Sequence, residues 1–123
     1  LRFIKNKGLT SRVKLIGYKK NIYPYYKKAD LFILSSKYEG LPNTLLEALS
    51  MGIPIISSDC KTGPSEILKK KYGKLFKVGD YKTLSKLINF SKKKLKLINV
   101  NDSRFDFESN LMKYKKVILS LNS

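Results

Sequence analysis

The stretch Ser35–Leu49, SSKYEGLPNTLLEAL, carries a loop into a helix and separates two glutamates, Glu39 and Glu47, by seven residues. Ahead of it, Ala29–Leu34 (ADLFIL) is a short apolar run with no polar interruption after Asp30, and it reads as a buried strand. Behind it, Leu45, Leu46, Ala48 and Leu49 give a helix an apolar face, while Gly40 and Pro42 punctuate the loop. A strand that leaves through a Gly-containing loop into a helix is where α/β proteins hold ligands. The join is therefore the candidate functional centre.

The rest of the chain supports an α/β reading. Leu1–Lys7 reads as the end of a helix stopped by Gly8, and Arg12–Gly17 (RVKLIG) alternates as a strand. Tyr18–Ile22 is its loop, and Tyr23–Lys28 is a short helix that tolerates Pro24 in its first turn. A helix from about Thr44 to Ser50 ends at Met51–Gly52, and Ile53–Ser57 is a further buried strand. Asp59–Gly63 is a polar loop, Pro64 opens the helical turn PSEIL, and Lys69–Tyr72 is a basic surface loop. Gly73–Val78 reads as a strand and Gly79–Asp80 as the cap of a helix over Tyr81–Phe90. Ser91–Lys96 is a charged connector or an extension of that helix, and Phe105–Leu121 has the period of a terminal amphipathic helix. Strands alternating with helices predict a parallel, doubly wound sheet.

Composition narrows the function classes. A chain of 123 residues is one domain or a piece of one, and its 42% hydrophobic content argues against intrinsic disorder. Histidine is absent, which removes the usual general base and most zinc sites. Cys60 is the only cysteine, so no internal disulfide forms and a reducing compartment is expected. No apolar run approaches the roughly 20 residues that span a bilayer. The opening LRFIKNKGL is too short and too charged for a signal peptide, and the lack of an initiator Met fits a start within a longer protein. The charge is +17, from 26 Lys+Arg against 9 Asp+Glu. An anionic membrane or nucleic acid would answer it, the membrane being the better fit because arginine occurs only at Arg2, Arg12 and Arg104. Lysine-rich compositional drift is the plainer alternative.

The glutamates admit two readings at this point. Thr44-x-x-Glu47 fits a capping box, in which Thr44 accepts from the Glu47 amide and Glu47 reaches back. Glu39, beside Gly40 in a loop, has no helix to cap. The first amides of the Thr44 helix lack intrahelical partners and would face an anion such as phosphate. Carboxylates beside a phosphate need another partner, and hydroxyls serve, at roughly 1.5–3 kcal/mol per charge-assisted bond. Hydroxyls on both sides of a phosphate describe a nucleotide sugar.

The run SSKYEGLPNTLLEALSMGIPIISSDCKTGPSEIL resembles the donor-binding region of glycosyltransferase family 4, retaining enzymes of the GT-B fold. The similarity extends upstream through RVKLIGYKKNIYPYYKKADLFIL and downstream through GKLFKVGDYKTL and the FDFE…Y segment. The resemblance implies a Rossmann-like parallel sheet with flanking helices, the C-terminal donor-binding part of a GT-B protein whose acceptor domain is absent here. It implies that Glu39, as the catalytic residue, holds the donor sugar's hydroxyls and that Glu47 holds those of the ribose. Gly40, Leu41, Pro42 and Asn43 would touch the sugar, the amides of Thr44 and Leu45 the diphosphate, and Gly17–Tyr18 would border the base. Transfer with retention would then move a hexose or N-acetylhexosamine to a glycan or polyprenyl-linked acceptor in surface polysaccharide synthesis. It would take place on the cytoplasmic side of the membrane, with electrostatic stabilisation of the diphosphate in place of a metal or cofactor.

The same resemblance marks what the chain lacks. The first strands of the donor domain, with their Gly-Arg and Lys elements for the diphosphate, are missing; no residue here is assigned that role, and Lys19 and Lys37 are the candidates to substitute. In the strand order 3-2-1-4-5-6 the missing strands are central, so Arg12–Gly17 would not lie beside Ala29–Leu34. The chain is accordingly expected to be inactive and poorly stable alone. Asp59 and Glu66 are read as structural, Cys60 as inert, and Tyr23, Tyr25 and Tyr26 as packing. The rival function is a non-catalytic basic module for anionic lipid or nucleic acid, with salt-dependent binding that ignores both glutamates.

Overall fold

The computed structural model describes residues 2–69 and 71–94, apart from the side chains of 92–94. The expected helix over Phe105–Leu121 and the segment 95–96 lie outside them. Among the described residues, β1 (Phe32–Leu34), β2 (Ile55–Ser58) and β3 (Lys74–Phe76) form one sheet in the order β1-β2-β3. Both pairings are parallel, with Phe32 opposite Ile55 and Ile56 opposite Lys74. The helices are α1 (Arg2–Asn6), α2 (Tyr23–Tyr26), α3 (Asn43–Ser50), α4 (Pro64–Leu68) and α5 (Tyr81–Lys94).

The strand order is what the last three strands of a 3-2-1-4-5-6 sheet present. Arg12–Gly17 was expected as a further strand and is not one: it makes no ladder, and Val13, Leu15 and Ile16 are exposed. The reason is pairing. A run of alternating residues becomes a strand only beside a partner, and β1 pairs with β2 alone among the described strands.

β1 and β2 begin later than the apolar runs that announced them, because neighbouring helices claim their first residues. The amides of Lys28 and Ala29 bond to Tyr25 and Tyr26 carbonyls, completing the exit from α2, so β1 begins only at Phe32. The Ile53 amide bonds back to Ala48 O and that of Gly52 to Leu49 O, closing α3 with Gly52 at φ +70°. This paired closure needs a left-handed residue, the conformation glycine adopts without cost. It draws Ile53 into the helix exit and starts β2 at Ile55.

The core lies between β2 and the helices. All four β2 residues are buried, and Leu45, Ala48 and Leu49 of α3 join Tyr26, Ile53, Ile55, Ile67, Leu68 and Tyr72 in one cluster. Each fully buried aliphatic side chain of this kind contributes about 1.5–3 kcal/mol. The helix α4 covers PSEIL as expected, and α5 continues through Ser91 to Lys94, so the charged run 91–94 is a helix extension.

Asp80 caps α5 as the sequence suggested. Its carboxylate accepts from the Thr83 amide (3.0 Å) and the Thr83 hydroxyl (2.6 Å), and these bonds hold its pKa below the ordinary aspartate value. A depressed carboxyl stabilises the fold above its unfolded pKa and loses that contribution as pH falls through the folded one. Asp80→Ala should therefore reduce hydrogen-exchange protection of the first α5 amides at neutral pH, and the gap from wild type should close in acid. Equal protection in variant and wild type at neutral pH would contradict the cap.

Candidate functional site

Parallel pairing brings the carboxyl ends of β1 and β2 to one edge of the sheet, so the loops that follow them are neighbours. Residues 35–42 lead from β1 to α3, and 59–63 lead from β2 to α4. The two are bonded together. The Ser36 carbonyl accepts from Ser58 Oγ (2.7 Å) and from Cys60 Sγ (3.0 Å). The Glu39 carbonyl accepts from Thr62 Oγ1 at 2.5 Å. Gly63, at φ +92°, presses against the first loop: a Cβ there would lie 2.5 Å from Gly40 O and 2.7 Å from Pro42 Cδ. Only glycine fits this approach.

The support falls on the backbone and leaves the Glu39 side chain available. Glu39 is half-buried, and its carboxylate has no hydrogen-bond partner among the described residues. Gly40, Leu41 and Asn43 are exposed while Pro42 is buried, so the loop is anchored at the proline and open before it. Such a loop presents one acceptor group and accessible backbone beside a helix start.

At that start the structure corrects the capping box. The helix α3 begins at Asn43 with Pro42 as its N-cap and no side-chain cap bond. Thr44 is thus already inside the first turn, too late to cap it. The Leu45 amide, expected to face the diphosphate, donates instead to Pro42 O at 2.9 Å, and the Leu45 side chain is fully buried. Asn43 and Thr44 are left as the exposed residues whose amides bond to no backbone acceptor among the described residues. Two free donors at a helix N-terminus favour an anion.

Glu47 does not reach back to the helix start. Its Oε2 accepts from the Tyr26 hydroxyl at 3.0 Å, and the same hydroxyl contacts Thr44 O at 3.2 Å. Tyr26 is buried, and burial first, then the Glu47 hydrogen bond, push its pKa up to about 12. The tyrosine was expected to be packing; the ring is, but its hydroxyl also donates to the Glu47 carboxylate. The sequence signal for this was indirect, namely a phenol in a helix directly preceding the strand that feeds the loop. That strand was expected to be buried, yet Phe32 and Leu34 are half-buried and Ile33 is exposed.

Gly17 and Tyr18 stand apart from these contacts. Tyr18 is 91% exposed, and among the described residues no atom outside its chain neighbours lies within 4 Å of a Cβ built on Gly17. Asp59 is exposed, Glu66 occupies the first turn of α4, and buried Cys60 is a loop fastener. No helix among the described residues is long and apolar enough to cross a membrane.

Residues 2–99 match the family described as glycosyl transferases group 1. An uncharacterized glycosyltransferase of Methanocaldococcus jannaschii is 51% identical over 65 residues, which cover 53% of this chain and 16% of that protein. The lipopolysaccharide 1,6-galactosyltransferase of Escherichia coli K12 is 45% identical over 64 residues, 51% of this chain and 18% of its own length. The solved structure of the lipopolysaccharide outer core galactosyltransferase WaaB, apo form, superposes with TM-score 0.66 at 32% identity, covering 73% of this chain and 27% of that one. The expected fold class, a Rossmann-like parallel sheet with flanking helices forming part of a GT-B domain, agrees with that neighbour. The chain spans a fifth or less of the length of these curated relatives, from the 16% and 18% covered.

The contact of Gly63 with the Glu39 loop gives a direct test. Gly63→Ala should destabilise the fold by about 2 kcal/mol or more, from the positive φ together with the clash. Gly79→Ala, at φ +82° with open space around its Cβ, carries the backbone strain alone and should cost less. Thermal unfolding of the two variants measures the difference; equal losses would mean that the loops do not constrain each other.

Proposed function

The chain belongs to the glycosyl transferases group 1 family, and on that premise we propose that it forms the donor-binding part of a retaining, family 4 glycosyltransferase. The observation that carries this reading is the Glu39 loop: a fixed backbone, a carboxylate without a partner, and two free amides at the start of α3. Glu39 takes hydroxyls of the donor sugar, Glu47 those of the ribose, and the amides of Asn43 and Thr44 face the diphosphate between them. Gly40, Leu41 and Pro42 shape the sugar side. Leu45 serves by packing, since its amide is already bonded to Pro42 O.

The reaction is a same-face displacement in which the leaving diphosphate helps deprotonate the acceptor hydroxyl. The bond from the anomeric carbon to the diphosphate breaks and the bond to the acceptor oxygen forms. Charge grows on the diphosphate, and helix amides that are already oriented stabilise it without reorganising. The donor is the substrate, and the reading calls for no resident metal or cofactor. The activity belongs to the whole protein, with this chain supplying the donor half.

Relatives suggest the acceptor class. One is named as a lipopolysaccharide 1,6-galactosyltransferase, and another, from Campylobacter jejuni, is named as an N-acetylgalactosaminyltransferase acting on a diphospho-undecaprenol-linked glycan. We take the acceptor as a growing glycan or polyprenyl-linked sugar, reached from the cytoplasmic face of the membrane, and the transferred group as a hexose or N-acetylhexosamine. The +17 charge suits that location, each lysine near an anionic leaflet contributing roughly 1 kcal/mol.

Replacing Glu39 with Ala in the full-length protein should abolish sugar transfer to a glycan acceptor while leaving the unfolding temperature within a degree or two. Unchanged turnover would remove Glu39 from the site. A nucleotide sugar should also raise the unfolding temperature of wild type more than that of the variant, whereas a purely basic binding module would respond to salt and to neither change.

A further inference from the structure

We propose that Tyr26 is a positioning residue that fixes the Glu47 carboxylate for a vicinal diol, so that preference for a ribonucleotide over its deoxy counterpart depends on the Tyr26 hydroxyl. The inference rests on the reading of Glu47 as the ribose acceptor and adds the residue that sets its orientation.

A free glutamate on a helix samples several rotamers about three rotatable bonds, and gripping two adjacent hydroxyls requires one of them. Glu47 has one oxygen held: Oε2 accepts from Tyr26 at 3.0 Å, while no bond to Oε1 occurs among the described residues. A half-buried carboxylate with one oxygen tethered and the other available is prepared for a ligand hydroxyl.

The tether itself is rigid. The Tyr26 ring meets Phe32 of β1 edge-on at 5.9 Å and Tyr23 at 6.3 Å. Edge-to-face pairs of this kind add about 0.5–1.5 kcal/mol beyond burial and fix the ring plane. Phe32 is in register with Ile55 on the fully buried β2, so the direction of the phenol is set by the sheet. The hydroxyl also contacts Thr44 O, in the same turn whose free amides face the anion. One phenol therefore references the ribose-side acceptor to the phosphate-side turn.

The alternative is that the hydroxyl only satisfies a polar atom at the edge of the core. The two roles separate by what they do to binding: a positioning hydroxyl acts on the diol alone, a packing one on every ligand. The full-length protein is titrated with uridine, guanosine and adenosine diphosphates and with their 2′-deoxy forms, and the tightest pair is carried forward. Wild type should favour the ribo form, and Glu47→Gln should erase most of that preference. Retention of the preference in Glu47→Gln, or its absence in wild type, would overturn the Glu47 reading and this inference with it.

With Glu47 upheld, Tyr26→Phe decides the point. It keeps the ring contacts and should lower ribo-form affinity by about fivefold, the size of one lost hydrogen bond, with deoxy-form affinity unchanged. In a Glu47→Gln background the same change should have no further effect. Equal weakening of both forms, or an unchanged ratio, would overturn the inference while leaving Glu47 in place. Failure of Tyr26→Phe to fold would also overturn it, since the hydroxyl would then be a stability element.

Discussion

The parallel pairing of β1 on β2 is the constraint on which the site depends. Two strands running the same way must emerge at the same edge, and a crossover helix must carry the chain back between them. Both exit loops and the start of α3 are thus gathered at one place before any side chain is specified. The Ser36 carbonyl, taking a hydroxyl and a thiol from the second strand's exit, then joins the loops at their roots. An antiparallel pair would send the two loops to opposite edges, and none of these contacts could form.

Much of this was legible in the sequence, and the rest was hidden for identifiable reasons. Apolar runs located β1, β2 and β3, and PSEIL and Asp80 marked α4 and the α5 cap to the residue. Arg12–Gly17 misled because alternation reports the fitness of a segment for a sheet and says nothing of whether a partner lies alongside. Strand lengths were overstated where helix exits borrowed the amides of Ala29 and Ile53, a competition that apolarity does not encode.

Within the site, local motif reasoning was weakest at Glu47. Thr44-x-x-Glu47 satisfies the spacing of a capping box, yet the helix begins one residue early on Pro42 and the partner comes from Tyr26, 21 positions upstream. Spacing within a motif captures neighbours in the chain. It does not capture a side chain delivered by another element, and it is that tertiary contact which holds one oxygen of the carboxylate. At Glu39 no local structure competes, and the carboxylate has no hydrogen-bond partner among the described residues.

The contact between Gly63 and the Gly40–Pro42 backbone has a consequence for how this region tolerates change in length. Surface loops usually accept insertions and deletions, since a longer closure adds little entropy. The segment from Asp59 to Gly63 lacks that freedom, because Thr62 must meet the Glu39 carbonyl while Gly63 meets that of Gly40. One residue gained or lost would move both contacts out of register and release the first loop. The spacing between β2 and α4 is thus fixed as a unit with the spacing between β1 and α3, and two stretches of surface chain vary in length together or not at all.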